Sequence, residues 1–500
     1  MTAEPARHAR FDTGIAAYAA GDFVTAVACF NRVIEARHDD ADAHNHLGLS
    51  YLALGNHADA ADAFVMAVHF RPQFPPAFYN MALAALGLGD PAQAITSLER
   101  AIELQPDYAT AHSTLGYVLG HHLGEFELGA AHIRTAMELN PEDPDILCNY
   151  SAVLIQEGQA EDALSICCDL LAAHPDMHEA RLNRALASLK LGRFEAGWPD
   201  YEARKRARGH YVPRALPLPE WQGEPLHDRK LLVYAEQGVG DQIMFASCVP
   251  ELLPQLAACV IECAPRLVPL FQRSFPSATI ASQREGDANL ARLAQIAALD
   301  SQVAIGSLPG QLRKHRADFP AHAGYLRADP ERSGYWTQRL DALGPGLKIG
   351  IAWSGGAPTT QRTGRSTQLA DWLPILGQAG CHFVSLQHGD VRDELAALSR
   401  AHKIPIHDWR DAIENYDETA ALVSALDQVI SVQTALVHLA GALGRPAWVM
   451  LRAAAEWRYL VRGEEMPWYP GVRLFRQAQA GDWAPVVARI AQELAQLARR

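Results

Sequence analysis

From residue 7 to residue 205 the chain reads as a run of helical hairpins, each with an apolar face that it cannot bury alone. The loop glycines that punctuate them, Gly21, Gly55, Gly89, Gly124, Gly158 and Gly192, lie 34, 34, 35, 34 and 34 residues apart. Five positions after each comes a small residue, Ala26, Ala60, Ala94, Gly129, Ala163 or Gly197, and Pro72, Pro106, Pro141 and Pro175 close the units. Such a turn needs a glycine, the small residue lets the second helix approach its neighbour, and proline ends that helix. Six stacked units predict an all-α superhelix with a concave groove. After Arg206 the pattern changes. Residues 206–229 are a proline-rich linker packed along a domain edge. Buried strands then alternate with helical stretches: KLLVYAE (230–236), CVIEC (259–263), ATIAS (278–282) and VAIGSL (303–308) in one half, 230–330. A second half, 346–480, carries KIGIAW (348–353), HFVSLQ (382–387), IPIHDW (404–409), QVISV (428–432) and AWVML (447–451). This alternation predicts two parallel sheets with a ligand cleft between their carboxyl ends. Residues 482–500 form a closing amphipathic helix, capped by Asp482, that packs on one of the halves.

Composition narrows the function classes. Apolar residues make up 49% and charged residues 20%, as in ordinary globular proteins, and the formal charge of −13 argues against a nucleic-acid footprint. No apolar run reaches the ~18 residues of a membrane span and no secretory leader is visible, so a cytoplasmic location is expected. The eight cysteines have no metal spacing and read as reduced, mostly buried thiols. His44, His46, His69, His112, His121, His122 and His132 are spread over several helices and read as groove-lining or solvent-facing. The period of 34 with its three markers resembles tetratricopeptide repeats, whose groove holds a peptide or a partner helix. A rigid spacer or dimerisation arm is the alternative.

Candidate chemistry sits in the loops that follow strands. SVQTALVHLAGALGRPAW (431–448) places Gln433 and Thr434 at a helix start beyond a parallel strand, where α/β proteins bind anions. YAEQGVGDQIMFASCVP (234–250) offers Gly238 and Gly240 for close backbone approach to a ligand, and Asp241 as helix cap, general base or both. A dinucleotide fingerprint would need glycine at position 243, which is Ile243, although Glu262 stands where a ribose-binding acid would sit and keeps a dehydrogenase possible. AWSGG (352–356) and RTGRS (362–366) supply exposed backbone N–H groups with Arg362 and Arg365 as phosphate partners, against the alternative of a flexible surface loop. Gln387, in SLQHGD, suits base or ribose recognition.

GVGDQIMFASCVP, KIGIAWSGG, GRSTQLADWLPIL and SVQTALVHLAGALGRP, in that order, resemble the four landmarks of the heptosyltransferase-like GT-B glycosyltransferases, over about residues 226–480. The tail EWRYLVRGEEMPWYPGVRLFRQ (456–477) resembles the end of bacterial proteins that fuse this domain to tetratricopeptide repeats. The whole is similar to protein O-glycosyltransferases, in particular to bacterial flagellin glycosyltransferases that add a nonulosonic acid such as pseudaminic acid. The resemblance implies two Rossmann-like halves, a nucleotide-activated sugar donor, inverting transfer to Ser or Thr of a protein such as flagellin, and no metal or other cofactor. By position Asp241 is then the base for the acceptor hydroxyl, Ser354, Gly355 and Gly356 lie beside the donor phosphate, and Arg365 is near the basic phosphate contact. Thr434 and His438 match an Asp-Thr…His signature around the donor, but Gln433 replaces its acid. That exchange implies either a donor with its own carboxylate and a single phosphate, a CMP-sugar rather than an NDP-sugar, or a lost activity. A non-catalytic adaptor and a transferase acting on a lipid-linked or free glycan are the remaining alternatives.

Overall fold

The computed structural model describes residues 3–207, 216, 218–283, 298–355 and 362–499. The chain divides into two compact units, Met1–Glu157 and Gly158–Arg500. Parts of the linker (208–215 and 217) and of the loop after AWSG, including Gly356, lie outside the described residues.

The first unit is built from the hairpins Ala3–Ala19 with Phe23–Ala36, Ala41–Ala53 with His57–Phe70, Pro75–Gly87 with Pro91–Leu104, and Ala109–Val118 with Phe126–Leu139, followed by Pro144–Glu157. All six loop glycines of the repeat series, two of them in the second unit, adopt φ between +75° and +90°, a region closed to most side chains. Ala26, Ala60 and Ala94 are fully buried, as helices in close contact require. Gly129 shows the constraint most sharply, because a Cβ there would stand 2.7 Å from the carbonyl oxygen of Gly116 on the facing helix. The single interval of 35 residues also has a physical form. The extra residue is absorbed by a π-helical turn, Leu119–Leu123, that ends at Gly124. The histidines differ from expectation: His44 and His112 are buried, with ring nitrogens 2.9 Å and 3.1 Å from the carbonyls of His38 and Pro106. In this helical register they face the neighbouring helix, not water.

The second unit begins inside the repeat series, with helices Ala160–Ala173, His178–Lys190 and Phe194–Tyr201. Phe194, Trp198 and Tyr201 belong to the same core as Phe245, Trp457 and Trp468 of the α/β part, and Trp198 donates its indole N–H to the Arg313 carbonyl at 2.8 Å. Beyond this core lie two sheets. One holds β1 (Arg229–Tyr234), β2 (Leu256–Cys263), β3 (Thr279–Ser282) and β4 (Ser301–Ala304) in the order β3-β2-β1-β4, all parallel. The other holds β5 (Leu347–Ala352), β6 (Cys381–Ser385), β7 (Ile406–Asp408), β8 (Gln428–Val432), β9 (Ala447–Leu451), β10 (Glu465–Met466) and β11 (Tyr469–Arg476). Its order is β10-β11-β9-β8-β5-β6-β7, parallel except for the edge pair β10–β11.

Several boundaries shift from the sequence reading. The stretch 303–308 is strand only to Ala304, then turns through Ile305–Ser307 into helix Leu308–Leu312. The stretch 404–409 is strand only at Ile406–Asp408, and the tail adds two strands, β10 and β11, that its residue pattern does not announce. The linker does run along a sheet edge: Trp221 is buried and its N–H donates to the Gln302 carbonyl at 2.7 Å. The closing helix is Ala484–Leu497, whose cap position is Trp483, while Asp482 accepts the Ala484 N–H at 3.2 Å from one residue earlier. Its Val486, Ile490 and Leu494 pack with Ile349, Ile351 and Phe383 of the second sheet.

Candidate functional site

The carboxyl edge of the second sheet carries a polar row. Reading across adjacent strands, Gln477 follows β11, Arg452 follows β9, Gln433 follows β8, Ser354 follows β5 and Gln387 follows β6. Gln477, Arg452, Gln433 and Gln387 are all at most 6% exposed. The carboxyl edge of a parallel sheet is where open α/β folds hold ligands, which makes this row the candidate site.

A pocket of about 440 Å³ opens at this edge, a size suited to a small organic ligand. Ser354 and Gly355, Gln387 and His388, and Thr434 to Leu436 line it from the second half, and Arg266 from the loop after β2 faces them. Ser354, Gly355, Gln387 and Thr434 are therefore brought together as the sequence implied. The Thr434 hydroxyl caps helix Ala435–Ala442, accepting the Leu436 N–H at 3.2 Å. Ser366 returns to the β5 end and accepts the Gly355 N–H at 3.2 Å, which fixes the loop that Gly355 begins. The Gln387 amide serves the protein itself: its carbonyl accepts the N–H groups of Trp353 (3.0 Å) and Ser354 (2.9 Å), and its NH₂ donates to Ser354 (2.9 Å) and His388 (3.2 Å) carbonyls. It staples β5 to β6 and is not free to read a base or ribose. Tyr416 also lines the pocket, with a buried hydroxyl that has no hydrogen-bond partner among the described residues. Burial raises its pKa, partly offset by the positive charge of Arg266.

The other expected residues are placed elsewhere. Gly238 occupies the cap position of helix Val239–Phe245, so Asp241 stands in the first turn and does not cap it. Asp241 instead forms an ion pair with Arg458 at 2.6 Å, joining the first half to the loop after β9. Burial opposes the Arg458 charge, but Asp241, Tyr459 and Glu456 outweigh it and raise that pKa. Gly240 has a packing role: a Cβ there would lie 3.1 Å from His438 and 3.3 Å from the Ala435 backbone. His438 is 2% exposed, with Nδ1 3.2 Å from the Tyr469 hydroxyl, and burial followed by Arg458 holds its pKa well below the usual range. It is a neutral core histidine behind the helix and does not line the pocket. Arg365 pairs with Glu456 at 3.1 Å, away from the pocket lining. Gln433 is 3% exposed, and among the described residues neither its amide oxygen nor its nitrogen has a hydrogen-bond partner. Glu262 accepts the Ala235 N–H at 2.8 Å and is 1% exposed, which removes it from ribose recognition.

The sequence reading missed Arg266, Arg452, Glu456 and Arg458. A signal existed for two of them, since Arg452 directly follows a buried strand and Arg266 lies just beyond another. The cysteines among the described residues are free thiols, five of them buried. Among the described residues no three or more His, Cys, Asp or Glu side chains stand together as a metal site, and no helix is long and apolar enough to cross a membrane.

Comparison with known proteins defines a class for the N-terminal part. Residues 11–75 and 79–144 match the tetratricopeptide-repeat family model, so this region is a tetratricopeptide-repeat array, an architecture that supports a protein-binding role. Protein FlbA of Caulobacter vibrioides (strain ATCC 19089 / CIP 103742 / CB 15) is similar over 399 residues at 32% identity, covering 76% of this chain. The chain spans 66% of that relative, just under two thirds of its length. A thermophilic tetratricopeptide-repeat protein of Thermus thermophilus is similar at 24% identity over 37% of this chain and 99% of its own, with a TM-score of 0.33. A tetratricopeptide-repeat protein from Parabacteroides merdae ATCC 43184 is similar at 14% identity over 42% of this chain and 81% of its own, also at 0.33.

Proposed function

We propose that the chain is a protein glycosyltransferase with a GT-B-like second unit, in which the 440 Å³ pocket takes a nucleotide-activated sugar and the repeats capture the acceptor polypeptide. The observation that carries this reading is the pocket itself, framed by the carboxyl ends of β5, β6 and β8 and faced by Arg266 from the end of β2. The cation Arg266 and the start of helix Ala435–Ala442, both at this pocket, suit a phosphate-bearing ligand. In this reading Asp241 takes the proton of a Ser or Thr hydroxyl while Arg266 and the Thr434 helix start stabilise the leaving phosphate. Asp241 is paired with Arg458 at 2.6 Å, and Arg458 must turn away for the acceptor to reach it. Flagellin is the first acceptor to test, on the resemblance of the sequence.

A binding panel of CMP, UDP, GDP and ADP on the full chain, by calorimetry, tests the donor site. Selective CMP binding supports a donor with a single phosphate; selectivity for a diphosphate keeps the transferase and discards the reading of Gln433. No binding of any of the four would refute the transferase. A second reading, a binding scaffold without catalysis, draws on the Asp241–Arg458 pair and on His438 lying in the core. Asp241→Asn separates the two: transfer falls by about 10²–10⁴ if Asp241 is the base, and no transfer by the native chain would leave the scaffold.

A further inference from the structure

Stacked hairpins carry the turns within each hairpin along one edge. In the first unit these turns are residues 18–25, 52–59, 86–93 and 120–128, around Gly21, Gly55, Gly89 and Gly124. Val24, Leu54, Leu88, Leu123 and Leu128 are exposed there, five of the nine large apolar side chains that are exposed among the described residues. Leu54, Leu88 and Leu123 stand directly before their glycines, one to a hairpin, and so form a row. Asp22, Asp59, Asp90, Glu125 and Glu127 share these turns, all of them exposed and, among the described residues, none of them paired with a cation. The four turns contain no Lys or Arg. We propose that this edge docks a partner polypeptide in which Lys or Arg stands beside clustered apolar side chains.

Two observations name that chemistry. The first is charge. Residues 1–157 hold no Lys and seven Arg against 20 Asp and Glu, so the whole formal charge of −13 lies in this unit, while in the rest of the chain 37 cations balance 37 carboxylates. Three of the seven arginines are taken by neighbours away from these turns: Arg37 by Asp39 at 3.0 Å, Arg71 by Asp42 at 2.5 Å and Arg100 by Glu103 at 2.7 Å. Such a surface repels nucleic acid and acidic lipid and attracts a cationic segment, and its apolar row favours a partner that covers it. The second is the chain's own use of the same edge. The last two loop glycines of the series, Gly158 and Gly192, belong to the second unit, where the loop after β9 lies against them. A Cβ at Gly158 would stand 3.5 Å from Ala454 and one at Gly192 3.9 Å from Leu460, and Val461 donates its N–H to the Lys190 carbonyl at 3.0 Å. Leu191 precedes its glycine as Leu54, Leu88 and Leu123 precede theirs, but it is half-buried and lines a cleft of about 640 Å³ with Leu460, Val461 and Arg462. Glu161 and Asp162 line that cleft too, Glu161 paired with Arg193 at 2.7 Å. Leu460, Val461 and Arg462 are an apolar pair followed by a cation. Where the second unit covers this edge it uses the composition that the charge of the first unit calls for.

The proposal rests on the protein-binding role of the repeats and not on sugar transfer. The test is selection of a phage-displayed library of random peptides on the full chain, with the triple variant Leu54→Ser, Leu88→Ser, Leu123→Ser as counter-selection. All three leucines are exposed, so the variant keeps its unfolding midpoint. Peptides held by the native chain and lost by the variant are expected to carry Lys or Arg next to Leu, Ile, Val or Phe. In calorimetry with one such peptide, the triple variant should weaken binding about tenfold or more. Joint replacement Asp59→Asn, Asp90→Asn, Glu125→Gln, Glu127→Gln should weaken it similarly and flatten its salt dependence. Asp90→Asn retains the helix cap, in which the side chain accepts the Gln93 N–H at 3.0 Å. Leu139→Ser, exposed in the last turn of Phe126–Leu139, leaves binding unchanged. No leucine-dependent peptides, or leucine-dependent peptides that are acidic or uncharged, overturn the proposal. So does self-association, or binding to anionic lipid vesicles, that the triple variant abolishes. Leucine-dependent basic peptides with no nucleotide binding refute the transferase and leave this proposal standing; nucleotide binding without such peptides does the reverse.

Discussion

Arg204 follows the last repeat helix and lies at the carboxyl end of β1, where it forms an ion pair with Glu236 at 2.6 Å. Both side chains are 5% exposed, and Arg204 also donates to Ser307 at 2.8 Å and to the Tyr201 carbonyl at 3.1 Å. Replacing Arg204 with Met keeps most of the volume but leaves the Glu236 carboxylate buried without its cation, still accepting the Gly306 N–H at 3.1 Å. Breaking one side of a buried pair costs about 3–5 kcal/mol, whereas replacing both sides with apolar residues is close to neutral. Arg204→Met is therefore expected to destabilise the second unit by that amount, roughly 5–10 °C in its unfolding midpoint. The double variant Arg204→Met, Glu236→Met should recover most of the loss. Scanning calorimetry measures the midpoint, and urea unfolding followed by tryptophan fluorescence reads the same core, since Trp198, Trp457 and Trp468 lie in it. A loss below ~1 kcal/mol, or a double variant as unstable as the single one, would refute the argument that this pair ties the end of the repeats to the sheet.

Gly129→Ala places a methyl against a backbone carbonyl that cannot rotate away, so the first unit should lose about 1–3 kcal/mol, read by urea unfolding of the isolated segment 1–157 or of the full chain. Arg266→Met should raise the dissociation constant of any nucleotide that binds the pocket by roughly 10–100-fold, with the unfolding midpoint unchanged, measured by calorimetry. Lys190 gives a pH dependence. It faces Arg452, Arg476 and Glu456, and its pKa falls from 10.5 to about 7 on folding. Between those values the unfolded chain holds a proton that the folded chain has released, so unfolding takes up a proton and stability rises with pH. The difference in stability between the native chain and Lys190→Met should therefore change by up to about 1.4 kcal/mol per pH unit from pH 7 upward; a flat difference would refute it.

The sequence made local periodicity legible and long-range partnership illegible. Loop glycines could be assigned because a left-handed turn constrains its own residue, and every one of the six takes positive φ. Strand-end loops could be found because a buried apolar run ends where polar residues begin, and Ser354, Gly355, Gln387 and Thr434 do meet at one pocket. What each polar side chain is bonded to is set by the packing of distant segments. Gln387 is occupied by the backbone of β5, Asp241 by Arg458, and His438 by a core whose hydroxyl comes from Tyr469. No spacing rule distinguishes these from free groups.

The compact units divide at residue 158, inside the repeat series and not at its end near 205, and a signal for this was present in the sequence. Six positions after each loop glycine stand Val27, Ala61, Ile95, Ala130 and Leu164, residues that fit between stacked hairpins. The sixth position in the series is Trp198, followed by Pro199 inside the helix. An indole is too large to repeat the earlier contact, and its N–H needs an acceptor once buried. Trp198 finds both outside the repeats, in the aromatic core with Trp457 and Trp468 and at the Arg313 carbonyl. Periodicity reports the conformation of a hairpin, while the surface against which it packs is encoded in the residues that break the period. A segment beginning at residue 158 is accordingly expected to fold and unfold cooperatively, and one beginning at 206, stripped of Phe194, Trp198 and Arg204, to expose the apolar face they cover. Intrinsic fluorescence and dye binding on the two segments decide between this boundary and the one that the glycine spacing implies.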